Sequence, residues 1–342
     1  MVLLVTGIAG FIGTNFGYYY LNKYDNREIL GVDKLTYSGD INNFNRLKPD
    51  KKCRLRFLKG DIADKTFIDS IFRENDIHSI INFAAESHVD RSIQGAQIFI
   101  KSNILGTFNL IDCAKQNLLK HDKWPDKFRF VQISTDEVYG SLHSEKRFTE
   151  DTPLHPNNPY SASKASADLF VQAYCNTYHF PGLISRCSNN YGPYQYPEKL
   201  IPVVIQKALD HQPIPIYGDG KQIRDWLYVN DHCSAIDCIL EKGTVGEIYN
   251  IGGNNEWSNI DLVNLILSII REITHDSKVN TDLIRHVNDR PGHDRRYAID
   301  ATKIKTQLKW QPTTRFEEGL RLTIDWYIQN QDWMKSRNAR QK

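Results

Sequence analysis

Residues 2–13 read Val2-Leu3-Leu4-Val5-Thr6-Gly7-Ile8-Ala9-Gly10-Phe11-Ile12-Gly13, an apolar run followed by three glycines spaced G-x-x-G-x-x-G. The run predicts a buried strand, and the residues after Gly10 open a helical pattern. In such a strand–turn–helix, the first glycine permits the tight turn and the second lets the backbone approach a pyrophosphate. The third permits close helix–strand contact. The helix N-terminus then presents unpaired N–H donors and a positive dipole end to phosphate. Asp33 closes the next predicted strand, twenty residues beyond Gly13. A carboxylate there can accept from the ribose hydroxyls of NAD and would repel the 2′-phosphate of NADP, with Lys34 placed to offset part of that repulsion.

The pattern continues outward from this loop. Strands are predicted at Val2–Thr6, Glu28–Asp33, Arg54–Gly60, Ser79–Ala84 and Phe128–Ser134. Helices are predicted at Phe11–Tyr24, Lys65–Asn75, Gln97–Gln116 and Tyr160–His179. The strands are near-continuous apolar runs rather than alternating ones, which suits a parallel sheet covered on both faces. The fold class is therefore α/β, a Rossmann-like doubly wound parallel sheet. After about residue 190 the rhythm changes. Tyr191–Pro202 reads as an irregular, aromatic loop facing a ligand and 213–221 as turn-rich, with helices at Asn259–Ile273 and Thr314–Gln329. The expected division is 1–190 as the dinucleotide-binding domain and 191–342 as mainly a smaller substrate-binding lobe, interleaved with the first.

Composition bounds the function. The 342 residues are 40% hydrophobic and 25% charged, and 43 Lys+Arg against 41 Asp+Glu leave a net +2. This is ordinary globular composition, and it calls for neither a nucleic-acid nor a membrane partner. Six cysteines form no C-x-x-C pair, so neither a metal site nor a disulfide framework is expected. No stretch approaches the ~18 apolar residues of a membrane span, and the N-terminus lacks the basic region of a signal peptide, so a cytoplasmic address is expected.

Tyr160 and Lys164 stand at i, i+4 and share one helix face. A nearby ammonium favours phenolate, which would make Tyr160 a base for a substrate hydroxyl whose carbon gives up a hydride. Asp61 and Ile62, after the third strand, could meet an adenine. Asp61 could also serve as a helix cap, although Asp64 is better placed for that.

With Tyr160-x-x-x-Lys164, the glycine loop resembles the extended short-chain dehydrogenase/reductase superfamily. Further segments, among them Val32–Gly39, Ala84–Ser92, Ser134–Gly140 with Thr135-Asp136-Glu137, Cys187–Pro193, Pro197–Pro202, Arg224-Asp225-Trp226 and Arg290–Asp294, resemble the dTDP-glucose 4,6-dehydratase family from residue 2 to about 325. That resemblance implies NAD as a cofactor that is not consumed, dTDP-glucose as substrate and a homodimer. It implies that Glu137 is the base at C5 and Asp136 the acid at the C6 oxygen, with Thr135 assisting Tyr160 at O4. Two adjacent carboxyls can divide acid and base work if their surroundings push their pKa values apart, although T-D-E also serves as an ordinary polar loop tip. On the cofactor side the resemblance adds Phe11, Ile12, Leu35, Thr36, Phe83, Ala84, Ala85, Ser87, Ser102 and Asn190. On the substrate side it adds Ser87, His88, Asn189, Glu198, Lys199, Leu200, Pro215, Ile216, Tyr217, Arg224, Asn259, Arg290 and His293, with Tyr217 stacked on the base and Arg224 and Arg290 on the diphosphate. UDP-glucose 4,6-dehydratase chemistry would be identical. A 4-epimerase needs no Asp-Glu pair, and a non-catalytic binding protein usually lacks the Tyr or Lys. Ile8, Ser38 and the Tyr18-Tyr19-Tyr20 run depart from the usual pattern.

Overall fold

The computed structural model describes residues 1–142, 146–289 and 293–339. Seven parallel strands form the central sheet in the order β10-β6-β5-β4-β1-β2-β3. They are β1 (Val2–Thr6), β2 (Glu28–Asp33), β3 (Leu55–Lys59), β4 (Ile77–Asn82), β5 (Arg129–Thr135), β6 (Gly182–Cys187) and, returning late in the chain, β10 (Ile248–Ile251). Alternate side chains of each strand enter different cores. Leu3, Val5, Ile81, Val131 and Leu183 pack with the Phe11–Lys23 and Val229–Lys242 helices, through Phe16, Leu21, Ile236 and Ile239. Leu4, Leu30, Ile80, Phe130 and Ile184 pack with the Lys65–Glu74, Gly106–Leu118 and Pro159–Tyr178 helices, through Ile68, Leu110 and Val171. Burial on both faces is what removes the polar alternation from these strands.

The remaining strands lie outside this sheet. A three-stranded sheet runs β11 (Glu256–Ser258), β9 (Ile223–Tyr228), β7 (Asn189–Tyr191), and β8 (Ile214–Tyr217) pairs in parallel with β12 (Ile284–Val287). They share a third core with the Leu200–Leu209, Asn259–Thr274 and Phe316–Gln329 helices, through Ile205, Ile216, Trp226, Ile266 and Ile324. No helix among the described residues is long and apolar enough to cross a membrane.

Three sequence expectations change. The helix expected over Gln97–Gln116 is a short α turn, a π segment at Ile100–Leu105 and then Gly106–Leu118. The wider turn coincides with Asn103, whose buried amide group holds the 84–87 loop by accepting from Glu86 N (2.8 Å) and donating to Glu86 O (3.0 Å). The stretch expected as one irregular loop at Tyr191–Pro202 begins inside β7 and ends inside a helix. The turn-rich 213–221 contains β8, in which Pro215, with Pro213 just before the strand, does not interrupt the pairing of Ile214 with Ile284.

Candidate active site

The carboxyl ends of β1, β4, β5 and β6 converge where the strand order reverses, the place at which doubly wound sheets bind ligands. A cleft of about 250 Å³ opens there. Gly7, Gly10, Phe11, Ile12, Gly13, Phe83, Ala85 and Ser87 line it together with Thr135, Asp136, Glu137, Tyr160, Lys164, Asn189, Asn190, Glu198 and Lys199. A smaller cavity of about 90 Å³ shares Gly7 and Gly10 and is lined by Asp33, Lys34, Thr36, Asp61, Ile62, Ala84 and Ser102.

The glycine loop has the geometry of a phosphate cradle. Gly7 has φ +68°, and a Cβ on Gly13 would lie 2.2 Å from Gly7 O, so neither position accepts a side chain without strain. The helix beginning at Phe11 has Gly10 as its N-cap, with no side-chain cap and no acid in its first turn. Its leading N–H groups therefore point to the cleft, where an anion would satisfy them. Asp33 stands at the adjoining cavity. Its Oδ2 accepts from Ala9 N (3.0 Å) and its Oδ1 from Leu35 N (2.7 Å), leaving each oxygen a further lone pair for a ribose hydroxyl. Leu35 lines neither cavity; its positive φ of 56° instead turns the chain so that its N–H meets Asp33. Lys34 pairs with Asp61 at 2.7 Å, so its charge is directed at Asp61. Asp64, not Asp61, caps the following helix. The donor set fits a dinucleotide: backbone N–H groups for the pyrophosphate, a carboxylate for the ribose, and Ile62 walling the far end.

Around the hexose end, Asn158 and Ser161 form a capping box that starts the Pro159–Tyr178 helix. Tyr160 and Lys164 follow on one buried face. Burial, helped by Glu137, Cys187 and Asp136, drives the Tyr160 phenol well above its ordinary value, while the Thr135 hydroxyl beside it favours the phenolate. Lys164 Nζ donates to Ile133 O (2.6 Å), and burial lowers its pKa against the opposing pull of Asp168. The expectation is that the Lys164 ammonium, with the positive nicotinamide ring, favours the phenolate; in this chain desolvation and the Glu137, Cys187 and Asp136 groups raise the phenol instead.

Thr135 ends β5 and caps the short 3₁₀ turn Asp136–Tyr139 by accepting from Glu137 N (3.3 Å). The turn buries Asp136 and leaves Glu137 partly open to the cleft. Asp136 Oδ1 meets the Thr135 hydroxyl at 3.4 Å, and Oδ2 has no hydrogen-bond partner among the described residues. Burial first, then the negative charges of Glu137 and Asp225, raise the Asp136 carboxyl well above the usual range, so it tends to hold its proton. Opposite stand Glu198, whose Oε1 accepts from Tyr37 (2.8 Å), His88, 3.6 Å from Glu198 Oε2, and Lys199, which donates to Ser87 O.

Of the residues expected on the nucleotide side, Asn189 and Lys199 line the cleft, whereas Leu200, Tyr217, Arg224, Asn259 and His293, with Pro215 and Ile216, line neither cavity. Tyr217 is exposed, with its ring edge-on to His293 at 6.4 Å, and Asn259 N donates to Gln222 O at the head of its helix. Leu200 and Pro215 are partly buried. The Ile216 side chain belongs to the third core, which leaves only its backbone for a ligand. Arg224 is buried over the Tyr297 ring at 4.2 Å and donates to Ile223 O and Asp294 O. Arg290 lies outside the described residues.

Sequence reasoning missed Ser38, Ser134, Cys187, Ser188, Gln195 and Tyr196 in the cleft lining. It also missed the fully buried ion pair behind Lys164, in which Arg186 Nε meets Asp168 Oδ2 at 2.9 Å. One signal for that pair was available, since Asp168 is four residues beyond Lys164 on the same helix face.

A family model described as GDP-mannose 4,6 dehydratase matches residues 4–323, and the chain belongs to that family. Within it the similarity narrows to the dTDP-glucose 4,6-dehydratases. The chain is 48% identical over 341 residues to one from Xanthomonas campestris pv. campestris (strain B100), covering 97% of this chain and 94% of that one. The crystal structure of dTDP-glucose 4,6-dehydratase from Bacillus anthracis str. Ames in complex with NAD superposes with a TM-score of 0.87 at 46% identity, over 98% of this chain and 99% of that one. The enzyme of the same name from Streptomyces venezuelae, solved with NAD and TYD bound, gives 0.87 at 42% identity, over 98% and 100%.

Proposed function

We propose that the chain is an NAD-dependent dTDP-glucose 4,6-dehydratase, a hydro-lyase that forms dTDP-4-keto-6-deoxyglucose. One observation carries the reading: a single cleft gathers the glycine cradle, the Tyr160–Lys164 face and a carboxyl pair of unlike burial. Gly7–Gly13 would hold the pyrophosphate, Asp33 the adenosine ribose, and Lys164 and Asn190 the nicotinamide end. When bound, NAD supplies the redox chemistry, accepting a hydride from C4 and returning it to C6.

The chain's own residues move the protons. With NAD bound, the positive nicotinamide ring would offset the desolvation and favour the Tyr160 phenolate, and Tyr160 Oη would then take the O4 proton as C4 becomes a ketone. The ketone acidifies the C5 hydrogen, and Glu137 removes it as general base. Asp136, kept protonated by burial, gives its proton to the C6 oxygen, and water departs as C5 and C6 become doubly bonded. Glu137 returns its proton to C5 as C6 is reduced. Tyr160 then holds one proton more than at the start and Asp136 one fewer, so a proton passing between them through solvent resets the site.

Two further features support the wider reading. Leu105, Leu169 and Phe170 are exposed apolar residues on the packed π segment and Pro159–Tyr178 helix, with Phe108 edge-on to Phe170 at 5.8 Å, and a second copy of the chain would cover them as a homodimer. All six cysteines are free thiols, which suits a reducing cytoplasm. The test is incubation with dTDP-glucose, and in parallel with UDP-glucose, followed by the alkali-induced absorbance of a 4-keto sugar. Signal from dTDP-glucose supports the assignment. A protein that holds NAD and yields no signal contradicts it, and preference for UDP-glucose moves it to the uracil nucleotide.

A further inference from the structure

We infer that the C-terminal helix Gln331–Ala339 is a latch that retains NAD, acting through Arg337 and Trp333 on the loop that follows β2. The inference rests on the proposed reading, in which NAD is regenerated within each turnover and exchange would interrupt the cycle.

The loop from Lys34 onward borders both cavities through Lys34, Thr36, Ser38 and Gly39. Hydrogen bonds join it to the glycine cradle at Ala9. Ala9 N donates to Asp33 Oδ2, Asp40 N donates to Ala9 O (2.9 Å), and Asn43 Nδ2 reaches Ala9 O (3.4 Å) and Thr14 Oγ1 (3.2 Å). Asp40 and Asn43 are the two residues gripped from the far side by the C-terminal helix. Arg337 forms an ion pair with Asp40, both side chains more than nine-tenths buried, and Trp333 Nε1 donates to Asn43 Oδ1 (2.9 Å). Trp333 packs in turn against Trp326 (5.2 Å) and Tyr194 (6.0 Å), and Tyr194 against Tyr18 (6.1 Å). Tyr196, which lines the catalytic cleft, donates to Arg337 O (3.1 Å).

A chain of direct contacts therefore runs from Arg337 through Asp40 and Ala9 to the phosphate cradle. A cofactor leaving past this loop must part the loop from the cradle, which strains the Asp40 and Asn43 bonds. A buried ion pair broken on one side leaves an unpaired charge, so the loop has a strong reason to remain seated. Neither Arg337 nor Trp333 lines either of the two cavities described, which makes them positioning residues.

The experiment measures the dissociation rate of NAD from purified holoenzyme by rapid dilution into an NAD-trapping dehydrogenase assay. Arg337→Met is expected to release NAD at least tenfold faster, with kcat at saturating added NAD within twofold of wild type and the apparent KM for NAD raised. Arg337→Lys is expected to restore retention to within about threefold. Trp333→Phe keeps the aromatic stack, loses the bond to Asn43, and is expected to release NAD severalfold faster. Wild-type dissociation from folded Arg337→Met and from Trp333→Phe overturns the latch, and Trp333→Phe alone decides if Arg337→Met does not fold. A wild-type chain that neither binds NAD nor converts dTDP-glucose overturns the functional reading itself, a result distinct from equal retention in wild type and variants.

Discussion

Replacing Asp168 by Asn tests how the site holds the charge of Lys164. Asp168 and Arg186 are both fully buried, and Oδ2 of Asp168 accepts from Arg186 Nε (2.9 Å) and from Ser134 Oγ (3.0 Å). Burial raises the Asp168 carboxyl, but its contact with Arg186 keeps the guanidinium firmly charged. As a unit, such a pair contributes little beyond an apolar replacement; removing one partner costs about 3–5 kcal/mol because the other charge is stranded. Asn can keep the Ser134 bond and cannot neutralise Arg186, whose other neighbour is the Tyr139 ring at 4.9 Å. With an unfolding entropy of about 0.7 kcal/mol/K for a chain of this length, that loss is about 4–7 °C in Tm. Scanning calorimetry should find it, and Asp168→Leu with Arg186→Met should lose less than the single variant. Both variants also deprive Lys164 of the carboxylate that opposes its desolvation, so its pKa falls further and the alkaline limb of kcat against pH moves to lower pH. A single variant within 1 °C of wild type, or an unmoved alkaline limb in both, would refute the reasoning.

Glu137→Gln is expected to slow exchange of the C5 hydrogen with solvent by about 10²-fold or more, read by NMR in deuterated water; exchange at the wild-type rate removes Glu137 as the base. Tyr160→Phe should still bind NAD and lose oxidation at C4, so no absorbance of reduced cofactor should appear on mixing with dTDP-glucose, and turnover near normal contradicts its role. His232 is fully buried with neither ring nitrogen hydrogen-bonded among the described residues, and burial holds its pKa down to about 3. The folded chain thus resists a proton that the unfolded chain takes up below its ordinary value of about 6.5. Stability present above that pH is lost as pH falls, by about 2 kcal/mol at pH 5. The slope of Tm between pH 7 and 5 should flatten in His232→Leu, and an unchanged slope would assign the loss to other groups.

The first sheet was legible because its strands are apolar on both faces and its glycine loop carries a turn only glycine makes without strain. β1 and β2 appear at the expected bounds, and β3, β4 and β5 within two residues at each end. β6 and β9 escaped because each buries charge: Arg186 in LISRC is paired with Asp168, and Arg224 with Asp225 in IRDWLY is bonded to backbone, so neither run reads as apolar. At the site, the residue types and the Tyr160–Lys164 face could be read from spacing. The protonation states could not, because they depend on desolvation by elements distant in sequence. The tyrosine run at 18–20 likewise gained meaning only in three dimensions, with Tyr18 stacked on Phe44 and Tyr194 and Tyr20 on Phe16.

The most direct test of the central claim follows one atom. dTDP-glucose carrying deuterium at C4 is converted in ordinary water with only the NAD that the protein brings, and the product is read by NMR. The account predicts deuterium at C6. Deuterium found still at C4, or lost to the medium, would contradict it.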